Sequence, residues 1–311
     1  MLIRPTPCTA RSARLIFAAL AAAALTIAPA HAVSLEDTRL LQQPAVSDDH
    51  VAFVYAGDLW IVDLPAGDAV DGVLDAGKAR RLTSHAGLES NPRFSPDGQW
   101  LAFSAQYDGN RDVYLVPVTG GVAVRLTWHP NPDTVQDFTP DGSAVLFTSP
   151  RYDFARRHHH LFTVSVDGGF PTQLPVPHAA SASYSPDGAR LAYNPLGPAH
   201  LQWKNYRGGR VSRVWIYDVD DHGVLEVEQP ADRANDADPF WLGETVYLRS
   251  DRNGEFNLLA FDPATARLEQ LTRHDDFPVL HASAGGGRIV YEQAGYLHLF
   301  DPTAKTSTRL R

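Results

Sequence analysis

An all-β propeller, a ring of six four-stranded antiparallel blades, is the fold the sequence predicts, and three observations predict it. The tetrapeptide Ser/Thr-Pro-Asp-Gly recurs at 95–98, 139–142 and 185–188, at intervals of 44 and 46 residues. Each copy follows a short strand-like stretch and precedes an alternating apolar one: LAFSA from Leu101, AVLFTS from Ala144 and LAYN from Leu191. Beyond the first 32 residues no segment carries an apolar stripe at helical spacing with caps. A repeat period of about 45 residues is the mark of a fold built from stacked sheets.

Each tetrapeptide reads as a hairpin turn. Proline presets φ at the first central position, aspartate tolerates the next, and glycine takes the positive φ that leads back into the ladder. The best-formed unit, 91–127, divides into NPRF as inner strand, the SPDG turn, WLAFSA, a YDGNRD loop, VYLVPV, a TGG turn and AVRLT. Four such antiparallel strands make one blade. Weaker copies follow the same order with SDDH from Ser47, Leu-Gly-Glu at 242–244 and SAGGG from Ser283 in place of the proline turn. The six blades span about 41–84, 87–128, 130–175, 178–230, 234–273 and 276–311. A two-sheet sandwich also gives short, evenly spaced strands, but not a recurring four-strand signature. Because every unit begins at its inner strand and ends at its outer one, the ring is expected to lack a strand-swapped closure.

Residues 1–32 read as a secretory signal peptide, and 33–311 as the ring. Arg4, Arg11 and Arg14 lead into an apolar run, and Ala30-His31-Ala32 has the small-x-small form accepted at cleavage. The run is too short to span a bilayer, and no later segment approaches that length, so no membrane span is expected after signal removal. Cleavage leaves 24 basic and 36 acidic residues and no cysteine, a net charge of −12 with histidine neutral. A periplasmic or secreted bacterial protein without disulfides is the expectation. An acidic chain without basic blocks argues against nucleic acid as partner.

Antiparallel order assigns the loops to faces. The Pro-Asp-Gly turns lie on one face; the second-to-third-strand loops and the connections between blades lie on the other. The long loops 149–160 and 194–213 both fall on this second face, which makes it the candidate binding surface. The latter loop concentrates Trp203, Lys204, Tyr206, Arg207 and Arg210 in an otherwise acidic chain, and Arg156 and Arg157 belong to the former. Guanidinium forks pair with carboxylates and aromatic rings supply apolar area, so the set suits a peptide carboxylate or an acidic partner surface. The competing reading has the aromatics packing the loop and the cations solvated.

No cofactor or metal is expected. His85, His129 and His274 recur in Leu-Thr-x-His but in different blades, where they suit turns better than a shared ion. The run His158, His159, His160 enters a strand, where neighbours point to opposite faces. There is no Gly-x-Ser-x-Gly, no His-Glu-x-x-His and no phosphate-binding glycine loop. Acid pairs such as Asp48-Asp49, Asp220-Asp221 and Asp275-Asp276 fall in turns; an acidic ring near the axis leaves a propeller hydrolase open.

The SPDG, LAF, DVY and LT series resembles TolB and tricorn repeats, and DHVAFVYAGDLWIVDL together with LQWKNYRGGRVSRVWIYDV resembles the N-terminal six-bladed propeller of tricorn-type proteases. The resemblance covers nearly the whole mature chain, with WKNYRGG its most specific part. It implies a non-catalytic module that guides peptides and supports assembly, the serine peptidase residues lying in later domains of such proteins. It also implies adjacent arginines before the third-blade turn, but the connection 129–134 holds none, so that role is not carried over. The expected partners are peptides or protein domains, including the second propeller, PDZ-like and peptidase domains of that family; self-association as a homo-oligomer stays open. A free-standing TolB-like interaction propeller is the alternative.

Overall fold

The computed structural model describes residues 39–65, 67 and 69–311; the expected signal peptide lies outside the described residues. The unit Thr38–Arg311 forms six sheets, each with four antiparallel strands hydrogen-bonded in chain order, the sheet of the last blade carrying a fifth. The inner strands are Gln42–Val46, Glu89–Phe94, Thr134–Phe138, Ser181–Tyr184, Asp236–Leu242 and Val279–Gly285. Helix among the described residues is confined to one 3-10 turn, Ala199–Leu201.

The three Pro-Asp-Gly turns repeat one hydrogen-bond pattern. The Ser95, Thr139 and Ser185 carbonyls accept the N–H of Gly98, Gly142 and Gly188 at 2.8, 2.8 and 2.9 Å. Their hydroxyls donate to Asp97, Asp141 and Asp187 at 2.5, 2.6 and 2.5 Å. The glycines hold φ of +69°, +73° and +73°, the left-handed region that side chains disfavour.

Six apolar clusters hold the ring, one at each junction between neighbouring blades. Phe103 and Ile61 join the first two blades, Phe147 and Val113 the next pair, and Phe261 and Ile216 the fourth and fifth. The repeated Leu-Thr serves the same end: Thr83, Thr127 and Thr272 accept the N–H of Leu59, Val113 and Leu258 at 3.0, 3.0 and 2.9 Å. Each threonine thereby ties an outer-strand exit to its own third strand.

Each blade builds its four antiparallel strands from its own stretch of chain, and Val46, Phe53, Val290 and Leu299 pack the first blade against the last. A further device adds to this packing. Loop 65–79 of the first blade supplies Val73–Leu74, which pairs parallel with the last outer strand, Thr306–Leu310. The Arg309 N–H donates to Gly72 O and the Arg311 N–H to Leu74 O, both at 2.9 Å, and Ala76 N–H to Arg311 O at 2.8 Å. A two-residue strand inside a loop has no periodicity to betray it.

Candidate functional site

The inner strands begin on the loop face and end at the proline turns, so their axial side chains line a central channel of about 970 Å³. Gln43, Asn91 and Asp238 each precede a proline and adopt left-handed backbone, with φ of +49°, +54° and +49°. The register slips at these points, bulges that re-aim the following side chains.

A belt of charge results. Arg93 donates from Nε to Gln136 O and from Nη1 to Pro92 O, both at 2.8 Å. Asp137 accepts from Ser183 Oγ at 2.8 Å and from Phe138 N–H at 2.9 Å. Burial pulls the Arg93 pKa down and pushes that of Asp137 up, each effect opposed by the other's charge. Asp238 pairs with Arg249, whose Nη1 also donates to Val279 O at 2.8 Å. Burial opposes ionisation of Asp238, but the Arg249 guanidinium outweighs it and its pKa falls. His281 Nδ1 lies 2.8 Å from Glu292 Oε2. The belt carries both signs in near balance.

The fourth-blade loop covers part of the channel mouth. His200, on the 3-10 turn, packs its ring 4.7 Å from Phe256, and the Arg249 guanidinium lies 5.2 Å from the same ring. Burial first, then Arg249, lowers the His200 pKa, and its buried Nε2 has no hydrogen-bond partner. Lys204 Nζ reaches Glu255 Oε1 at 2.5 Å, spanning the fourth and fifth blades.

The other sequence-predicted residues separate into distinct roles. Arg207 is held by Asp251, with Nη1 2.7 Å from Oδ2 and Nη2 3.3 Å from the carbonyl oxygen. Tyr206 Oη accepts the Arg210 N–H at 3.3 Å, and its carbonyl accepts Asn235 Nδ2 at 3.0 Å. Trp203 is exposed, its ring 6.1 Å from Tyr206. Arg210 and Arg157 line a second cleft, whereas Arg156 is exposed outside it. The loop therefore combines both sequence readings: some members pack it, others face solvent.

Several exposed apolar side chains belong to the same face. Leu88, Trp128 and Phe277 come from connections between blades, and Tyr152, Phe154, Leu201 and Trp203 from the two long loops. His85 Nδ1 accepts Gly87 N–H at 3.0 Å and His129 Nδ1 accepts Asn131 N–H at 3.1 Å, the turn roles their spacing suggests. Among the described residues no group of three or more His, Cys, Asp or Glu is gathered as a metal-ligand set, and no helix is long and apolar enough to cross a membrane. The belt residues Arg93, Asp137, Asp238, Arg249 and His281 escape sequence reasoning. Arg93, which follows Pro92, and Asp238, which precedes Pro239, carry a sequence signal at a bulge; Asp137, Arg249 and His281 adjoin no proline and carry none.

Fold and channel define a six-bladed β-propeller with a polar axis. Residues 38–306 match the family model for the Tricorn protease N-terminal beta propeller domain, and the chain belongs to that family. It is 32% identical over 261 residues to Tricorn protease homolog 1 of Streptomyces coelicolor, covering 84% of this chain and 23% of that protein. To the Tricorn protease of Thermoplasma acidophilum it is 27% identical over 277 residues, covering 85% and 24%. The chain thus spans about a quarter of the length of these relatives. Among solved structures, the tricorn protease superposes with a TM-score of 0.74 at 23% identity over 88% of this chain and 26% of that one. A putative TolB from Agrobacterium tumefaciens superposes at 0.59 with 20% identity over 83% of both chains.

Proposed function

We propose that this propeller is an exported, non-catalytic module that binds and guides peptides at the loop face of its channel, in the service of tricorn-type proteolysis. The observation that carries the reading is the balanced charge belt below a mouth framed by Leu201, Lys204 and Glu255, with Trp203 exposed beside them in the same loop. A channel with both signs and several hydrogen-bonding groups accepts a polypeptide backbone without demanding one net charge, and exposed aromatics supply sequence-tolerant contact area. The reading assigns no catalysis to the channel, where the Ser183 hydroxyl donates to Asp137 as part of the belt. Tyr152, Phe154 and Phe277 on the same face favour a second use of it, the seating of a partner protein domain.

Fluorescence anisotropy with labelled unstructured peptides tests the first use. Binding should saturate, and Trp203→Ala and Lys204→Ala should each weaken it by roughly fivefold to tenfold, the loss of one contact of about 1 kcal/mol. Affinity that is absent, or untouched by both substitutions, sinks the assignment. Peptidase turnover by the purified ring would sink the non-catalytic reading. Loss of domain binding in Phe154→Ser without loss of peptide binding would separate the two uses.

A further inference from the structure

A second cleft, of about 610 Å³, opens between the third- and fourth-blade loops. One wall is Arg157, His158 and His159; the other is Pro195, Leu196 and Arg210, with Ala180 bordering both this cleft and the channel. Its volume is that of a small-ligand pocket, a few hundred to about 1,000 Å³.

The third-blade wall is fixed from within its own loop. Asp153 Oδ1 accepts the Ala155 N–H at 2.9 Å. Its Oδ2 accepts the N–H groups of Arg157 and His158 at 2.9 and 2.7 Å and lies 3.0 Å from His158 Nδ1. The His158 ring stacks on His178 at 4.6 Å. The acid of this loop is therefore spent on backbone and histidine, and it does not neutralise an arginine side chain. Across the cleft, the Arg210 backbone is anchored on Tyr206 Oη, which leaves its side chain unused. Among the described residues neither the Arg157 nor the Arg210 guanidinium has a hydrogen-bond or ion-pair partner. Arg207, Arg213, Arg249 and Arg252 in the neighbouring blades are all paired with acids.

Two arginines without an acid partner on opposite walls of one concavity in an acidic chain are charge that folding does not use. Each presents a planar fork that matches the oxygens of a phosphate or carboxylate. Leu196 and the prolyl ring of Pro195 offer apolar area for the rest of a ligand. We propose that this cleft binds a small anionic solute through its oxyanion group, a phosphate monoester or a carboxylate, with Arg157 and Arg210 as the two anchoring forks. The site stands apart from peptide binding in the channel.

Isothermal titration of the folded protein with inorganic phosphate and, separately, with succinate at constant ionic strength tests this. At least one probe should bind saturably. Arg157→Ala and Arg210→Ala should each weaken it roughly tenfold or more, the loss of a charge-assisted pair, and the double variant should abolish it. Both side chains are exposed, so unchanged thermal unfolding should verify the fold of each variant. Arg156→Ala, outside the cleft, should leave binding unchanged. A preference for phosphate assigns the site to phosphate monoesters, and a preference for succinate assigns it to carboxylates. Failure of both probes to saturate at millimolar concentration overturns the proposal, as does binding that survives the double variant or falls equally in Arg156→Ala.

Discussion

Replacing Arg207 with alanine removes the cation that faces Asp251, a carboxylate only 2% exposed. Asp251 retains two amide donors in the variant, Asn235 N–H at 2.7 Å and Asn235 Nδ2 at 2.9 Å, but no counter-charge. Breaking a fully buried ion pair costs about 3–5 kcal/mol, whereas a fully exposed one is worth about 0–1 kcal/mol. Arg207 is 33% exposed, so water replaces part of what it supplies, and the expected loss is about 2 kcal/mol. Urea unfolding followed by tryptophan fluorescence measures it. Asp251→Asn keeps the shape and leaves Arg207 free to turn to water, so it should cost less, about 1 kcal/mol. The double variant then closes a cycle with an expected coupling of about 1 kcal/mol. An unchanged midpoint in Arg207→Ala, or zero coupling, refutes the reading of Arg207 as a pin between the fourth-blade loop and the fifth blade. Arg207 would then return to the set available for ligands.

Three further outcomes follow from the geometry. His298 stacks on Tyr291 at 4.9 Å; burial, then His274 and Arg309, lowers its pKa from 6.5 to about 4. A depressed histidine stabilises the folded state above its unfolded pKa and loses that contribution as pH falls toward the folded value. His298→Phe should therefore remove about 2 kcal/mol of the stability lost between about pH 7 and pH 5; equal pH slopes in variant and parent would contradict this. A Cβ at Gly285 would collide with the Val46 carbonyl across the closure between last and first blades, whereas one at Gly197 meets nothing. Gly285→Ala should cost about 1–3 kcal/mol in urea unfolding and Gly197→Ala almost nothing. For the expected export signal, N-terminal sequencing of protein recovered from the periplasm should begin at Val33; an intact Met1 there would reject it.

The number and order of the blades were legible because every repeat needs its own hairpin, and a hairpin needs turn residues with particular backbone angles. Ser95-Pro96-Asp97-Gly98 and its two counterparts meet that need locally, so the sequence displays it. Closure was only partly legible. Val73–Leu74 acquires a partner some 235 residues away, at Arg309 and Leu310, and two residues cannot show a period. The belt was hidden for a related reason. Arg93, Asp137 and Asp238 each look like an ordinary polar residue on a pleat, and only the closed ring turns them toward one axis. Within the fourth-blade loop, composition picked out the cations but not their partners. Asp251 captures Arg207 from 44 residues away, while Arg210, three positions on, meets no acid.

The division of labour between the faces has a physical cause. On the turn face each hydroxyl, carboxylate and glycine N–H of the proline turns is spent within its own turn. Successive turns also lean on one another: a Cβ on Gly142 would touch Pro96, and one on Gly188 would touch Pro140. Lengthening of these proline turns would disturb a neighbouring blade, and the long insertion on this face, 65–79, sits instead between a third and a fourth strand and is used for closure. The loop face carries no such constraint, because strand order is already fixed by the turns and by the Leu-Thr ties. Insertions can accumulate at 149–160 and 194–213 without altering blade packing, and Arg157, Trp203 and Arg210 sit in those insertions. Repetition on one face thus releases the other for recognition, and functional differences between propellers of this family should be sought in the loop-face insertions.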